Sequence, residues 1–75
     1  MSESSVQHLI KMANQIAANV PALTAEARIE GAAAHMKKFW TPAMTAKLRQ
    51  HLDAGGGGLN REAAQAITAI TREPA

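Results

Sequence analysis

Apolar residues recur at helical spacing in four separate stretches of the chain, and no stretch alternates apolar and polar positions as a strand does. The first stretch follows Ser4 and Ser5, either of which can cap a helix. It ends before Pro21, because proline disfavours helical geometry at the residue that precedes it. This pattern predicts a helix over residues 5–19. Its apolar stripe comprises Val6, Leu9, Ile10, Ala13, Ile16, Ala17 and Val20.

A second stripe begins after Thr24, a preferred N-cap residue, and carries Glu26 in its first turn, where a negative charge suits the helix dipole. It predicts a helix over residues 24–40. Gly31 lies in the middle, where glycine weakens a helix by about 1 kcal/mol relative to alanine. This glycine indicates either close approach of a neighbouring helix or a position facing solvent. The stripe comprises Ile29, Ala32, Ala33, Met36 and Trp40.

The pair Thr41-Pro42 reads as the N-cap and first residue of a third helix, predicted over residues 42–53. A fourth helix is predicted over residues 60–71, with Asn60 as its N-cap and Glu62 in its first turn. The third stripe comprises Met44, Leu48, His51 and Leu52, and the fourth comprises Ala63, Ala66, Ile67 and Ile70.

Four consecutive glycines separate the last two helices. They are Gly55, Gly56, Gly57 and Gly58. A phosphate-binding loop needs a lysine and a hydroxyl residue after its last glycine, and Leu59 and Asn60 stand there instead. Because glycine adopts positive φ at no steric cost, the run predicts a helix C-cap and a tight reversal, with at least one glycine at positive φ.

These elements predict an all-α fold, a small bundle of four short helices with a glycine-rich turn between helices 3 and 4. The 75 residues should form one domain, 1–75, with an ordered core over about 5–71. Alanine is the commonest residue, and alanine favours helix but buries little apolar area. We therefore expect well-formed helices around a thin core that gains stability from a partner.

Charge is unevenly distributed along the chain. The net charge is only +2, but no acidic residue occurs between Glu30 and Asp53. Four basic residues fall in that window: Lys37, Lys38, Lys47 and Arg49. The window predicts a surface for an acidic partner, with a small helical nucleic-acid-binding module as the alternative.

Residues typical of catalytic and metal sites are sparse. The chain has no cysteine, which excludes disulfides, Fe–S ligation and thiol catalysis by its own residues. The three histidines lack the i, i+4 spacing of a helical zinc site, and Glu26 and Glu30 have no evident nucleophile beside them. We predict no catalytic, cofactor-binding or metal site. The segment MSESSVQ has no secretory signal pattern, and the expected location is the cytoplasm.

The only aromatic residues, Phe39 and Trp40, are adjacent at the predicted corner between helices 2 and 3. Consecutive helical residues point about 100° apart, so only part of the pair can face one small core. Two interpretations stay open. Both rings belong to the core, or one of them anchors a partner, since aromatic residues are enriched at interface hot spots.

The order and spacing of several motifs resemble one known family. These are the string Met12-Ala13-Asn14-Gln15-Ile16-Ala17, then His35, Phe39-Trp40, Pro42 and Met44, then His51-Leu52 before the glycines and Leu59. Together they resemble the delta subunit of cytoplasmic, NAD-dependent molybdenum or tungsten formate dehydrogenases. The resemblance extends from about Val6 to Ile70.

The resemblance implies a non-catalytic accessory subunit. It implies catalytic and diaphorase subunits as partners, which carry a molybdenum or tungsten pterin cofactor, Fe–S clusters, FMN and NAD and oxidise formate to CO2. We expect this chain to hold no cofactor and to support assembly, stability or regulation. The predicted docking surface is the helix 2–3 corner, with Trp40 as anchor, Phe39 beside it, and Lys37, Lys38, Lys47 and Arg49 around it.

Overall fold

The computed structural model describes residues 5–72, and these form four α-helices without any strand. The helices are α1 (Val6–Asn19), α2 (Ala25–Phe39), α3 (Pro42–Asp53) and α4 (Arg61–Thr71). The all-α prediction is confirmed. Its helix ranges differ from the observed ones by at most one residue at an end, because they included flanking cap residues.

Every helix is preceded by an N-cap residue, and the side-chain oxygen of that residue accepts a hydrogen bond from the backbone N–H three positions ahead. Ser5 is the first of these caps, and the alternative Ser4 lies outside the described residues. Such caps satisfy backbone donors that have no partner inside the helix, and each contributes about 1 kcal/mol. The pairs are Ser5–His8 (3.3 Å), Thr24–Ala27 (3.1 Å), Thr41–Met44 (3.2 Å) and Asn60–Ala63 (2.8 Å).

The helices pack around a thin core, as the composition predicts. Helix α1 contacts the other three helices, and α2 packs mainly against α4. Half of the ten buried core residues are alanines, and the largest fully buried side chains are Leu9, Met36, Leu48 and Ile67. Because alanine buries little apolar area, the few large side chains supply most of the hydrophobic stabilisation.

Gly31 allows the end of α1 to lie close against α2. A Cβ atom built on Gly31 would stand 2.7 Å from Cγ1 of Val20, closer than real Cβ atoms approach a neighbour. The close-approach interpretation of this glycine is therefore correct. The residue that requires it is Val20, the C-cap of α1, rather than a residue within a neighbouring helix.

The glycine run closes α3 with a Schellman motif. The N–H of Gly56 donates to the carbonyl of His51 at 2.9 Å, and the N–H of Gly55 donates to the carbonyl of Leu52 at 3.1 Å. Gly55, Gly56 and Gly58 have φ values of 134°, 70° and 88°. The prediction of positive φ in this turn is confirmed. His51 Nε2 also donates to the carbonyl of Gly57 at 2.7 Å, which ties α3 to the turn it precedes.

Asn14 of α1 connects this turn to the rest of the fold. Its Nδ2 donates to the carbonyl of Gly58 at 2.8 Å, and its Oδ1 accepts from the N–H of Asn60 at 2.9 Å. The hydrophobic pattern assigns Asn14 to the polar side of α1, but the residue is half-buried. Helical periodicity cannot show that a segment more than forty residues away passes over this position.

Replacing Asn14 with alanine is expected to lower the free energy of unfolding by about 1 to 3 kcal/mol, because the half-buried N–H of Asn60 loses its acceptor. Urea denaturation followed by circular dichroism measures this loss. Gln15→Ala is the control, since Gln15 is an exposed neighbour on the same helix. Equal stability of the two variants would show that the contacts of Asn14 contribute nothing.

Candidate functional site

An apolar groove of about 680 Å³ lies between α1 and α2. The α1–α2 connection forms one end, and the α2–α3 corner forms the other. Its lining includes Met12 and Ile16 of α1, His35 and Phe39 of α2, and Trp40 and Met44 at the corner. Its volume falls in the range of small-molecule and side-chain binding pockets.

The structure separates the two adjacent aromatic residues. Trp40 is only 8% exposed and belongs to the core, whereas Phe39 is 64% exposed. Trp40 is the C-cap of α2, in extended geometry, and its N–H donates to the carbonyl of Met36. Of the open interpretations, the core assignment is correct for Trp40 and wrong for Phe39. A side chain as buried as Trp40 has little area left for a partner, so Phe39 is the better candidate for an anchor.

Phe39 is held at the edge of the groove by its helical neighbours. The ring of His35, one turn earlier, lies with its centroid 4.8 Å from that of Phe39 and is tilted by 44°. The ammonium of Lys38 stands 5.9 Å from the Phe39 centroid, within cation–π range. The groove therefore presents an apolar floor, an exposed aromatic ring and a cation side by side.

The four basic residues of the predicted docking surface do not form one patch. Lys37, Lys38 and Lys47 are exposed, but Arg49 is half-buried. Its Nε donates to Asp53 at 3.1 Å, and its Nη1 donates to Oγ1 of Thr71 at 3.2 Å, so the residue links α3 to α4. Arg49 also lines a separate depression of about 480 Å³, away from the groove. The structure thus gives Arg49 a role in packing the helices together.

The walls of the groove are poor in acidic groups. Helix α1 contains no carboxylate, and α2 contains none after Glu30. Two acidic side chains elsewhere already have partners, since Glu62 lies 3.7 Å from Arg28 and Asp53 pairs with Arg49. Lys11 of α1, one turn before Gln15 of the groove, adds a second exposed cation near its rim.

Two of the three histidines make side-chain contacts within the fold. His35 packs on Phe39, His51 bonds to the glycine turn, and His8 is exposed. Within residues 5–72, no three histidine or carboxylate side chains come together in a way that could hold a metal ion. Over the same residues, no helix has the length and apolarity needed to cross a membrane.

Sequence reasoning missed two features of the structure, of which only the second belongs to the groove. Leu23, in the α1–α2 connection, is 99% exposed, and no helical pattern marks it. The groove itself was also missed. Two pairs at i, i+4 spacing indicate it: Met12 and Ile16 on α1, and His35 and Phe39 on α2. The same spacing is also typical of helix faces that are fully covered in a core.

Comparison with known proteins identifies the family. A family model described as "NADH-dependant formate dehydrogenase delta subunit FdsD" matches residues 8–67. This span runs from α1 into α4 and includes the groove and the glycine turn. Searches of curated proteins and of solved structures returned no match. The resemblance that the motifs indicate is confirmed, and the chain belongs to the family of NADH-dependent formate dehydrogenase delta subunits.

Proposed function

We propose that this chain is a non-catalytic accessory subunit that binds the larger catalytic and diaphorase subunits of a formate dehydrogenase. The observation that carries the proposal is an exposed Phe39 at the edge of an apolar groove in a delta-subunit family member. A large aromatic side chain left exposed in a domain with a thin core favours burial against a partner. Binding supports assembly, stability or regulation of formate oxidation to CO2.

The partner subunits carry out formate oxidation under this proposal. They hold the molybdenum or tungsten pterin cofactor, the Fe–S clusters and FMN, and they reduce NAD in the cytoplasm. This chain has no cysteine to ligate an Fe–S cluster. It contributes a surface instead. Binding to the folded state also stabilises a small domain by mass action, so the partners and this chain stabilise each other.

The alternative function is a nucleic-acid-binding module that uses the basic residues of α2 and α3. The structure supports it less, because Arg49 is engaged with Asp53 and Thr71 and the exposed surface nearby includes an apolar ring. Phosphate contacts require accessible cations and gain nothing from an apolar groove.

Affinity purification of the tagged chain from its native host distinguishes the two functions. We expect formate dehydrogenase subunits to co-purify and to persist after nuclease treatment, since protein–protein contacts do not depend on nucleic acid. The control is the same purification from a host that carries the untagged chain. Recovery of nucleic acid without any dehydrogenase subunit would overturn the proposed function.

A further inference from the structure

We infer that the groove receives an acidic amphipathic segment of a partner subunit, with apolar side chains facing the groove and carboxylates beside them. The inference rests on the proposed function and specifies the chemistry of the segment that the chain binds. It follows from three properties of the groove: an adaptable apolar lining, an exposed aromatic edge, and rims that carry cations but few carboxylates.

The lining suits inserted apolar side chains. Met12 of α1 and Met44 of α3 both line the groove, and Trp40 contributes the corner. Methionine has an unbranched, polarisable side chain that adapts to irregular shapes and is frequent at binding surfaces. A partner side chain placed here would contact this lining and the exposed ring of Phe39 at once. It would remove from water an aromatic ring that the fold leaves 64% exposed.

The charge around the groove selects an acidic segment. The Lys38 ammonium lies against Phe39, and α1 supplies Lys11 but no carboxylate. Lys38 belongs to neither of the ion pairs Arg28–Glu62 and Arg49–Asp53. A partner carboxylate can therefore pair with Lys38 without displacing them. Complementary charges mainly accelerate association and fix orientation, and salt screens them over about 10 Å at 0.1 M.

A second copy of this chain fits the groove less well than an acidic partner does. In a two-fold symmetric dimer the same patch lies on both sides of the interface. Two grooves packed together would place Lys38 and Lys11 of both copies within one interface. Because the walls supply few carboxylates to offset them, this contact is repulsive.

The binding experiment uses formate dehydrogenase from a host that lacks this chain, immobilised, with wild-type chain and variants in solution. Phe39→Ala is expected to raise the dissociation rate constant about tenfold or more, because it removes the aromatic edge. Leu23→Ala is the matched control: Leu23 is also a large exposed apolar residue, but it does not line the groove. It should leave the dissociation rate unchanged. Circular dichroism verifies that each variant is folded.

The charge experiment compares two adjacent lysines with the same substitution. Lys38→Glu should slow association, speed dissociation and flatten the dependence of affinity on salt. Lys37→Glu should only slow association. The ammonium of Lys38 lies over Phe39, and Lys37 projects from the helix about 100° away from Lys38. Equal effects of the two substitutions on dissociation would overturn the assignment of Lys38 to the groove.

A photo-crosslinking amino acid in place of Phe39 identifies the occupant in the assembled complex. The expected product joins this chain to a dehydrogenase peptide in which Asp or Glu flanks apolar residues. A crosslink to a second copy, to a peptide without acidic residues or to nucleic acid would overturn the inference. The inference would also be overturned if the wild-type chain binds and Phe39→Ala and Leu23→Ala both dissociate at the same rate as the wild-type chain. If the wild-type chain does not bind at all, the proposed function fails, and this inference fails with it.

Discussion

Replacing Trp40 with alanine is expected to lower the free energy of unfolding by about 3 to 5 kcal/mol, the usual range for removing a buried aromatic side chain. Trp40 is the largest member of a core in which half the residues are alanine. Its removal takes away the largest buried apolar side chain of the described core, and a domain of this size has little stability to lose. The variant should therefore be largely unfolded at 37 °C.

Thermal and urea denaturation of Trp40→Ala and Phe39→Ala, followed by circular dichroism, tests this expectation. Phe39→Ala should cost less than about 1 kcal/mol, because it removes an exposed ring with one tilted contact and one exposed cation–π contact. The paired variants thus separate stability from the proposed binding: loss of Trp40 should unfold the domain, and loss of Phe39 should remove only the proposed partner contact. A folded Trp40→Ala variant with near-wild-type stability would contradict the assignment of Trp40 to the core.

The second large effect is expected at Gly56, where valine should lower the free energy of unfolding by more than about 1 and up to about 3 kcal/mol. Gly56 has a φ of 70°, which a β-branched residue rarely adopts. A Cβ atom there would also lie 2.9 Å from Cδ1 of Leu52, a side chain that packs against the core. The strain falls on the motif that ends α3.

Gly57→Val is the matched control within the same turn. Gly57 is not among the glycines with positive φ, and no neighbouring atom lies within 4 Å of its Cβ position. Valine there should change the free energy of unfolding by less than about 0.5 kcal/mol. Urea denaturation of both variants gives the comparison. If valine at Gly56 and at Gly57 leaves the free energy of unfolding equally unchanged, the turn is a flexible linker and the hydrogen bonds of the Schellman motif do not stabilise it.

The helices and their ends could be predicted from the sequence because their causes are local. A cap residue such as Thr41, a proline after it and a stripe of apolar residues act within one or two turns of the chain. The glycine turn belongs to the same class. Positive φ at Gly56 follows from the need to reverse direction after a helix, and no knowledge of the remaining fold is required.

The candidate site could be predicted only in part, because it depends on contacts between distant segments. Periodicity places Phe39 and Trp40 on neighbouring faces, but the packing of the helices against one another decides which of the two is covered. Arg49 falls in the acid-free window of the sequence, yet Thr71 of another helix engages it. The helical pattern predicts Asn14 to be a surface residue, but in the folded chain the glycine turn packs over it. The family followed from the order of motifs along the chain.

Native mass spectrometry of formate dehydrogenase, purified from hosts with and without this chain, tests whether the chain is a bound subunit of the enzyme. We expect the enzyme from the first host to be heavier by 7.9 kDa or a multiple of it, the mass of this chain. Adding purified chain to the enzyme from the second host should restore that increment, and the Phe39→Ala variant should restore less of it at the same concentration. An enzyme of identical mass from both hosts, with the added chain remaining free at 7.9 kDa, would show that this chain is not a subunit of the enzyme.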